Sequence, residues 1–264
     1  MVIIAAVIIV FVIPYIWMAW SGIDVKNGKR EKMEWKKPAI TFLIISGISL
    51  AINFYYYQMY HLNFFPNLFE SMVTLIVTGA FLVVFIIVNI LAGIVYKNAP
   101  KSFHNPKVMW IFTAVFCLTV LFFGSWVFPF GQKSSYVVKV EAAMQELSET
   151  EEDTEVSVLF LSSEQNCIRR RTSGCVSEEY QNVFFVKNNL DEEKEVQVRI
   201  RALDFNQNEL KVVDSKIMTL GAEELRMVET EETSDKTSIW NSSTFETEQR
   251  TQFYEYQFRF REPE

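Results

Sequence analysis

The sequence predicts a membrane protein in which a four-helix transmembrane bundle is followed by an all-β sandwich domain. Three observations carry that expectation. Residues 2–20, 39–57, 72–96 and 108–128 are long apolar runs without a single Asp, Glu, Lys or Arg, and about 20 such residues cross the hydrocarbon core as helix. The charge balance inverts near residue 131. Residues 1–132 carry nine Lys/Arg and four Asp/Glu, residues 133–264 sixteen and twenty-eight, a net +5 against −12. Beyond the inversion, apolar residues recur at every second position, the period of half-buried strands.

The first run reads as a spanning helix and not as a secretory signal. No basic stretch precedes it, Trp17 and Trp20 close it, and Lys26, Lys29 and Arg30 follow where a small-residue cleavage site would stand. Pro14 should kink this helix without breaking it. Loop charges set the orientation. Residues 21–38 contain Lys26, Lys29, Arg30, Lys32, Lys36 and Lys37, residues 97–107 contain Lys97, Lys101 and Lys107, and residues 58–71 contain no Lys or Arg. Loops 21–38 and 97–107 are therefore expected in the cytoplasm, with the N-terminus and the C-terminal domain outside a multi-pass cell-membrane protein.

The second loop and the helix before it are rich in rings: Tyr56, Tyr57, Tyr60, Phe64 and Phe65 form an interfacial belt or a platform for a lipid or a partner protein. His61 alone is not a metal site, and His104 falls in the opposite loop. Inside the runs the polar inventory is thin. Asn53 and Asn89 are expected to hydrogen-bond between helices, and Gly47 with Ala51 forms a small-xxx-small seam for close helix packing. The lack of charged groups argues against a proton-coupled transporter.

Domain boundaries are expected at 1–131 and 132–264, joined by a short polar linker at 132–135. Strands are expected at 135–140, 156–161, 182–187, 196–203, 210–213, 216–220, 225–229 and 254–260, with a short helix at 142–152 and a solvated run at 149–155. Turns fall at 204–208 and 221–224. This many short strands favours a sandwich.

One stretch carries a resemblance. Phe185-Val186-Lys187-Asn188-Asn189 precedes a charged turn and a strand, then Asp204 and a polar turn, then Ile217-Met218-Thr219-Leu220-Gly221-Ala222-Glu223-Glu224. The pattern, over residues 180–228, resembles bacterial extracytoplasmic immunoglobulin-like modules, although Gly221 and Ala222 stand in reverse of the common order. The resemblance implies an immunoglobulin-like sandwich with a binding or scaffolding habit and no active site. The Lys, Glu and Ile content also suits a bacterial source.

Cys117 lies in the fourth run and reads as buried. Cys167 and Cys175 flank a short segment on the expected outer side, where a disulfide between them would persist. That segment holds Arg169, Arg170 and Arg171, read either as a solvated turn or as a finger for an anionic ligand, since guanidinium forks pair with oxyanions. Nucleic acid is excluded as a partner by the acidic remainder of the domain. Asn241-Ser242-Ser243 fits a glycosylation sequon.

No glycine-rich phosphate loop, nucleophile elbow or paired-histidine metal motif occurs. The expectation is a non-enzyme without cofactor or metal: an accessory or assembly subunit whose outer domain binds another envelope or membrane protein. The alternatives are a subunit of an oligomeric channel or transporter, and an immunity or ligand-sensing protein.

Overall fold

The computed structural model describes residues 2–97, 100, 105–149, 154–171 and 174–261. The chain divides into two compact units, Met1–Val137 with Lys236–Ser238, and Val138–Asp235 with Ile239–Glu264.

The first unit is helical. Helices α1 (Val2–Lys26), α2 (Lys36–Tyr60), α3 (Leu68–Val95) and α4 (Pro106–Phe122) build it. Among the described residues four helices are long and apolar enough to cross a membrane: α1, α2, α3 and the continuous helix Pro106–Gln145 that α4 begins. Their ends follow local chemistry. Asn67 caps α3 by accepting the Phe69 N–H, and Asn105 caps α4 by accepting the Lys107 N–H, with Pro106 in the first turn. Helix α2 stops at His61, which takes a left-handed conformation (φ 52°) and donates its N–H to the Tyr56 carbonyl.

The region after residue 128 departs from expectation. Instead of a linker at 132–135, a strand at 135–140 and a separate helix at 142–152, α4 runs through a π-helical stretch, Phe123–Val127, into α5 (Phe128–Glu149). The short alternation around residue 136 misleads because it is also compatible with a helix. Val137, Val140 and Ala143 are buried at three-residue spacing. Residues 150–153, most of the expected solvated run, lie outside the described residues, as do 98–99 and 101–104 of the third loop.

Phe11, Val127 and Phe130 form the buried centre of the helical unit, with Phe42, Ile52 and Tyr56 against them. Phe11 meets Phe42 edge-on with centroids 6.5 Å apart. Most other apolar side chains on these helices are exposed, Leu43, Ile76 and Leu118 by about two-thirds.

The second unit contains two antiparallel sheets. In the first, β1 (Val156–Arg171) pairs along β2 (Gly174–Asn188), whose other side is taken by β6 (Leu225–Met227) and β7 (Phe245–Thr247). In the second, β3 (Lys194–Leu203) is central, with β8 (Phe253–Arg261) on one side and β4 (Glu209–Asp214) and β5 (Met218–Leu220) on the other. One apolar core joins them. Val156, Val158, Phe184 and Val186 come from the first sheet, and Val196, Val198, Ile200 and Leu220 from the second. The expected strands at 156–161 and 182–187 are the core-facing parts of β1 and β2, which continue ten residues and eight residues further.

The two halves of the motif behind the resemblance meet. The buried Asn188 amide donates to the carbonyls of Glu192 (2.8 Å), Leu220 (3.3 Å) and Gly221 (2.9 Å), and Gly221 N–H donates to the Glu224 carboxylate at 2.7 Å. Those contacts fix the β2–β3 turn against the end of β5.

Candidate functional site

Two constellations concentrate the residues that composition and motif single out, one in each unit. The first lies where α2, the α2–α3 loop and α5 converge. Lys133 of α5 is 1% exposed. Its ammonium donates to Asn53 Oδ1 at 3.0 Å and to the Phe64 carbonyl at 2.7 Å. The next residue of α5, Ser134, accepts the Tyr56 hydroxyl at 3.3 Å, and Tyr56 stacks on Phe130. Tyr57 packs on Phe64, Phe65 meets the edge of Trp126, and Trp126 Nε1 donates to the buried Ser49 hydroxyl at 3.0 Å.

Part of the aromatic group therefore turns inward. Tyr56 and Phe64 are half-buried and engage α5 or Tyr57, while Tyr57 and Phe65 remain largely exposed. Tyr60, half-buried, meets the rings of Tyr55 and Tyr56. Sequence reading did not find Lys133, because it stood in the expected linker. The available signal was an isolated lysine in register with the buried stripe of α5.

The helix-packing residues separate into two groups. Asn89 Nδ2 donates to Thr113 Oγ1 at 2.9 Å, linking α3 to α4, and Asn53 receives Lys133. Gly47 and Ala51 instead face outward, and a Cβ added at Gly47 would meet nothing within 4 Å. The close approaches are elsewhere. A Cβ at Gly124 would lie 2.5 Å from Thr74 Cγ2, and one at Gly131 would lie 3.2 Å from Ile4 Cα. The seam motif was matched by spacing alone. What decides closeness is which side of α2 meets a neighbour.

The second constellation is the β1–β2 hairpin. Past Ser163 and Asn182 the two strands leave the core and pair with each other, β7 touching only as far as Tyr180. The segments Glu164–Ile168 and Cys175–Glu179, largely exposed, form an arm. Cys167 and Cys175 cross-link it, with Cα atoms 5.8 Å apart. Arg169, Arg170 and Arg171 are not in the turn. Their backbone belongs to β1, opposite Ser177, Cys175 and Gly174, with register shifts beside Arg169. The turn itself, residues 172–173, lies outside the described residues. Cys117 is buried and free.

Comparison with family models, with curated proteins and with solved structures finds no match to this chain. The two constellations must be read from their own chemistry.

At the root of the arm, Glu179 is held above the ordinary carboxylate range, first by a hydrogen bond shared with Glu246 and then by desolvation. Lys139 of α5 ion-pairs with Glu164 at 2.7 Å. Asn241 of the sequon closes a 3-10 turn, Ile239–Asn241, and is exposed.

Proposed function

We propose that this chain is a non-enzymatic, multi-pass membrane protein whose bundle anchors an extracytoplasmic immunoglobulin-like domain, and that this domain binds another membrane or envelope protein. The observation that carries the reading is the arm. A two-stranded ribbon without core support is marginal in water. Here it is extended well beyond the sandwich core and braced by a disulfide between Cys167 and Cys175. A domain that needed only to fold would end these strands at Ser163 and Asn182. Three consecutive arginines at the end of an otherwise acidic domain suit an acidic surface on the partner.

Membrane insertion is supported by the exposure of large apolar side chains all along α1–α4, which water would not tolerate at this density. Sidedness rests on the loop cations and on the disulfide, which suits an oxidising compartment. The channel reading gains less support, because Asn53 and Asn89 are engaged within the chain and do not present a continuous polar lining.

A photo-crosslinking amino acid at Ile168, exposed on the arm, tests the reading in intact cells against the same probe at Phe205, exposed in the β3–β4 turn. A discrete protein adduct from position 168 and none from 205 is the expected result. Equal adducts, or none from 168, would overturn it. Thiol labelling of Phe205→Cys from outside, and of Lys29→Cys only after permeabilisation, checks the orientation.

A further inference from the structure

Two clefts open on the face shared by α1 and α2. One, of about 250 Å³, is lined by Val7, Phe11, Ile45, Ile52 and Phe130, none of them basic. The other, of about 380 Å³, lies at the opposite end and is lined by Pro14, Tyr15, Trp35, Pro38, Phe42 and Leu43. Its lining is almost wholly carbon, and two of its lining residues, Tyr15 and Phe42, meet edge-on at 5.9 Å.

What distinguishes the larger cleft is its rim. Lys36 sits between the lining residues Trp35 and Pro38 and is exposed. In the adjoining loop, Glu34 bridges Lys37 and Arg30 at 2.7 Å each, and Arg30 also reaches Asp24. Lys37 and then Arg30 hold the Glu34 carboxyl below its ordinary range. Lys26, Lys29, Lys32 and Lys36 make no ion pair among the described residues. Helix α2 also begins at this rim with Trp35, which supplies no side-chain cap, so the Lys36 and Lys37 amides are open to an acceptor, while Pro38 has no N–H to offer.

We infer that the larger α1–α2 cleft is a binding site for an anionic phospholipid. One acyl chain lies against Pro14, Tyr15 and Phe42, and the phosphate meets Lys36 and the first turn of α2. The inference rests on the membrane reading above, but not on which side the loop faces. Acyl length suits a cleft made of carbon between two spanning helices, and an unpaired lysine at its mouth selects a negatively charged headgroup over a neutral one. A second copy of the chain or a helix from another protein would fill the apolar part but would leave the lysine and the uncapped amides without an oxyanion.

Native mass spectrometry of the full chain released from detergent, with phosphatidylglycerol or phosphatidylcholine added, tests the inference. Phosphatidylglycerol should be retained in preference. Lys36→Gln should lower that preference about fivefold, the factor one lysine near an anionic surface supplies. Ala39 also lines the larger cleft and Ala6 the smaller one; Ala39→Trp should abolish retention, and Ala6→Trp should leave it intact. Inorganic phosphate should not displace the lipid. Equal retention of the two lipids, an unchanged preference in Lys36→Gln, or a lipid-free dimer would overturn the site. Flotation of the same protein with vesicles separates the two levels. A chain that fails to float refutes the membrane reading, whereas a chain that floats without lipid preference refutes only this inference.

Discussion

The ammonium of Lys133 donates to the side-chain carbonyl of Asn53 at 3.0 Å, with both residues at most 2% exposed. Together with the bond to the Phe64 carbonyl, this joins α5, α2 and the α2–α3 loop through one side chain. A buried ammonium persists only when its donors are satisfied. Lys133→Met should therefore destabilise the helical unit by about 1–3 kcal/mol, because two carbonyl acceptors lose a donor. Asn53→Leu should cost a similar amount. The double variant should lose clearly less than the sum, since removing both partners leaves neither stranded. Denaturant unfolding of the full chain in detergent measures the cycle, and simple additivity would show that the pair does not act as a unit.

Gly124 sits where the π-helical stretch passes α3. An added Cβ would lie 2.5 Å from Thr74 Cγ2, and Thr74 cannot easily swing away because its hydroxyl is bonded to the Glu70 carbonyl at 3.1 Å. Gly124→Ala should cost about 1–3 kcal/mol by overpacking. Thr74→Ser removes the offending methyl while keeping the hydroxyl, so it should recover most of that loss. Gly47→Ala, facing open space, should be neutral or slightly stabilising through helix propensity. Thermal unfolding of the four proteins in one detergent checks the order.

The four apolar runs and the core strands β3 and β8 were legible because burial imposes a period on them. Long uncharged runs become helices, and Val196, Val198 and Ile200 alternate with polar residues on one half-covered strand. Elements whose register depends on distant partners were not legible. The arm of β1 and β2 is mostly polar, with Ile168 and Val176 as isolated exposed apolar residues, so it carries no alternation, and its pairing follows from the core hairpin it continues and from the Cys167–Cys175 bridge. Strand β7 is three residues long and is set by β2 and by the Asn182 amide, which donates to the Thr247 hydroxyl at 2.9 Å. Lys133 was hidden for a related reason: a lysine beside an apolar run reads as the run's end, and only the facing Asn53 and Phe64 carbonyl reveal it as interior.

The β3–β4 turn should respond to acid through Asp204. Its Oδ1 accepts the amides of Asn206 (2.7 Å) and Asn208 (2.8 Å), and its Oδ2 accepts the Asn208 side chain at 3.0 Å. The Asn208 side-chain bond first, then the backbone bonds, hold the Asp204 carboxyl below the ordinary aspartate range. A depressed carboxyl stabilises the turn above its unfolded value and stops doing so as pH falls through the lowered folded value. Amide exchange at Asn206 and Asn208 should accelerate across that acidic window, relative to the intrinsic rate. Asp204→Asn should remove the pH dependence, and Asp204→Ala should leave both amides unprotected at every pH. Unchanged protection on acidification would mean that the strand pairing alone holds the turn.

The disulfide should stabilise the arm and not the sandwich. Cys167 and Cys175 are eight residues apart, and closing so short a loop contributes about 2.5 kcal/mol by chain entropy. The core begins beyond it, at Phe160 and Phe184, whose rings lie 5.0 Å apart and need no covalent help to stay paired. Replacing both cysteines by serine should therefore raise amide exchange in the arm, residues 164–168 and 175–179, by about 50- to 100-fold. Exchange at Val158 and Val186 should stay at the rate of the intact protein. Because the arm is the element proposed to meet the partner, the same variant should weaken crosslinking from position 168 while leaving the unfolding midpoint of the domain nearly unchanged. A large drop in that midpoint would place the bridge in the folding of the whole domain. Unchanged exchange in the arm would show that the bulged β1–β2 pairing is sufficient by itself.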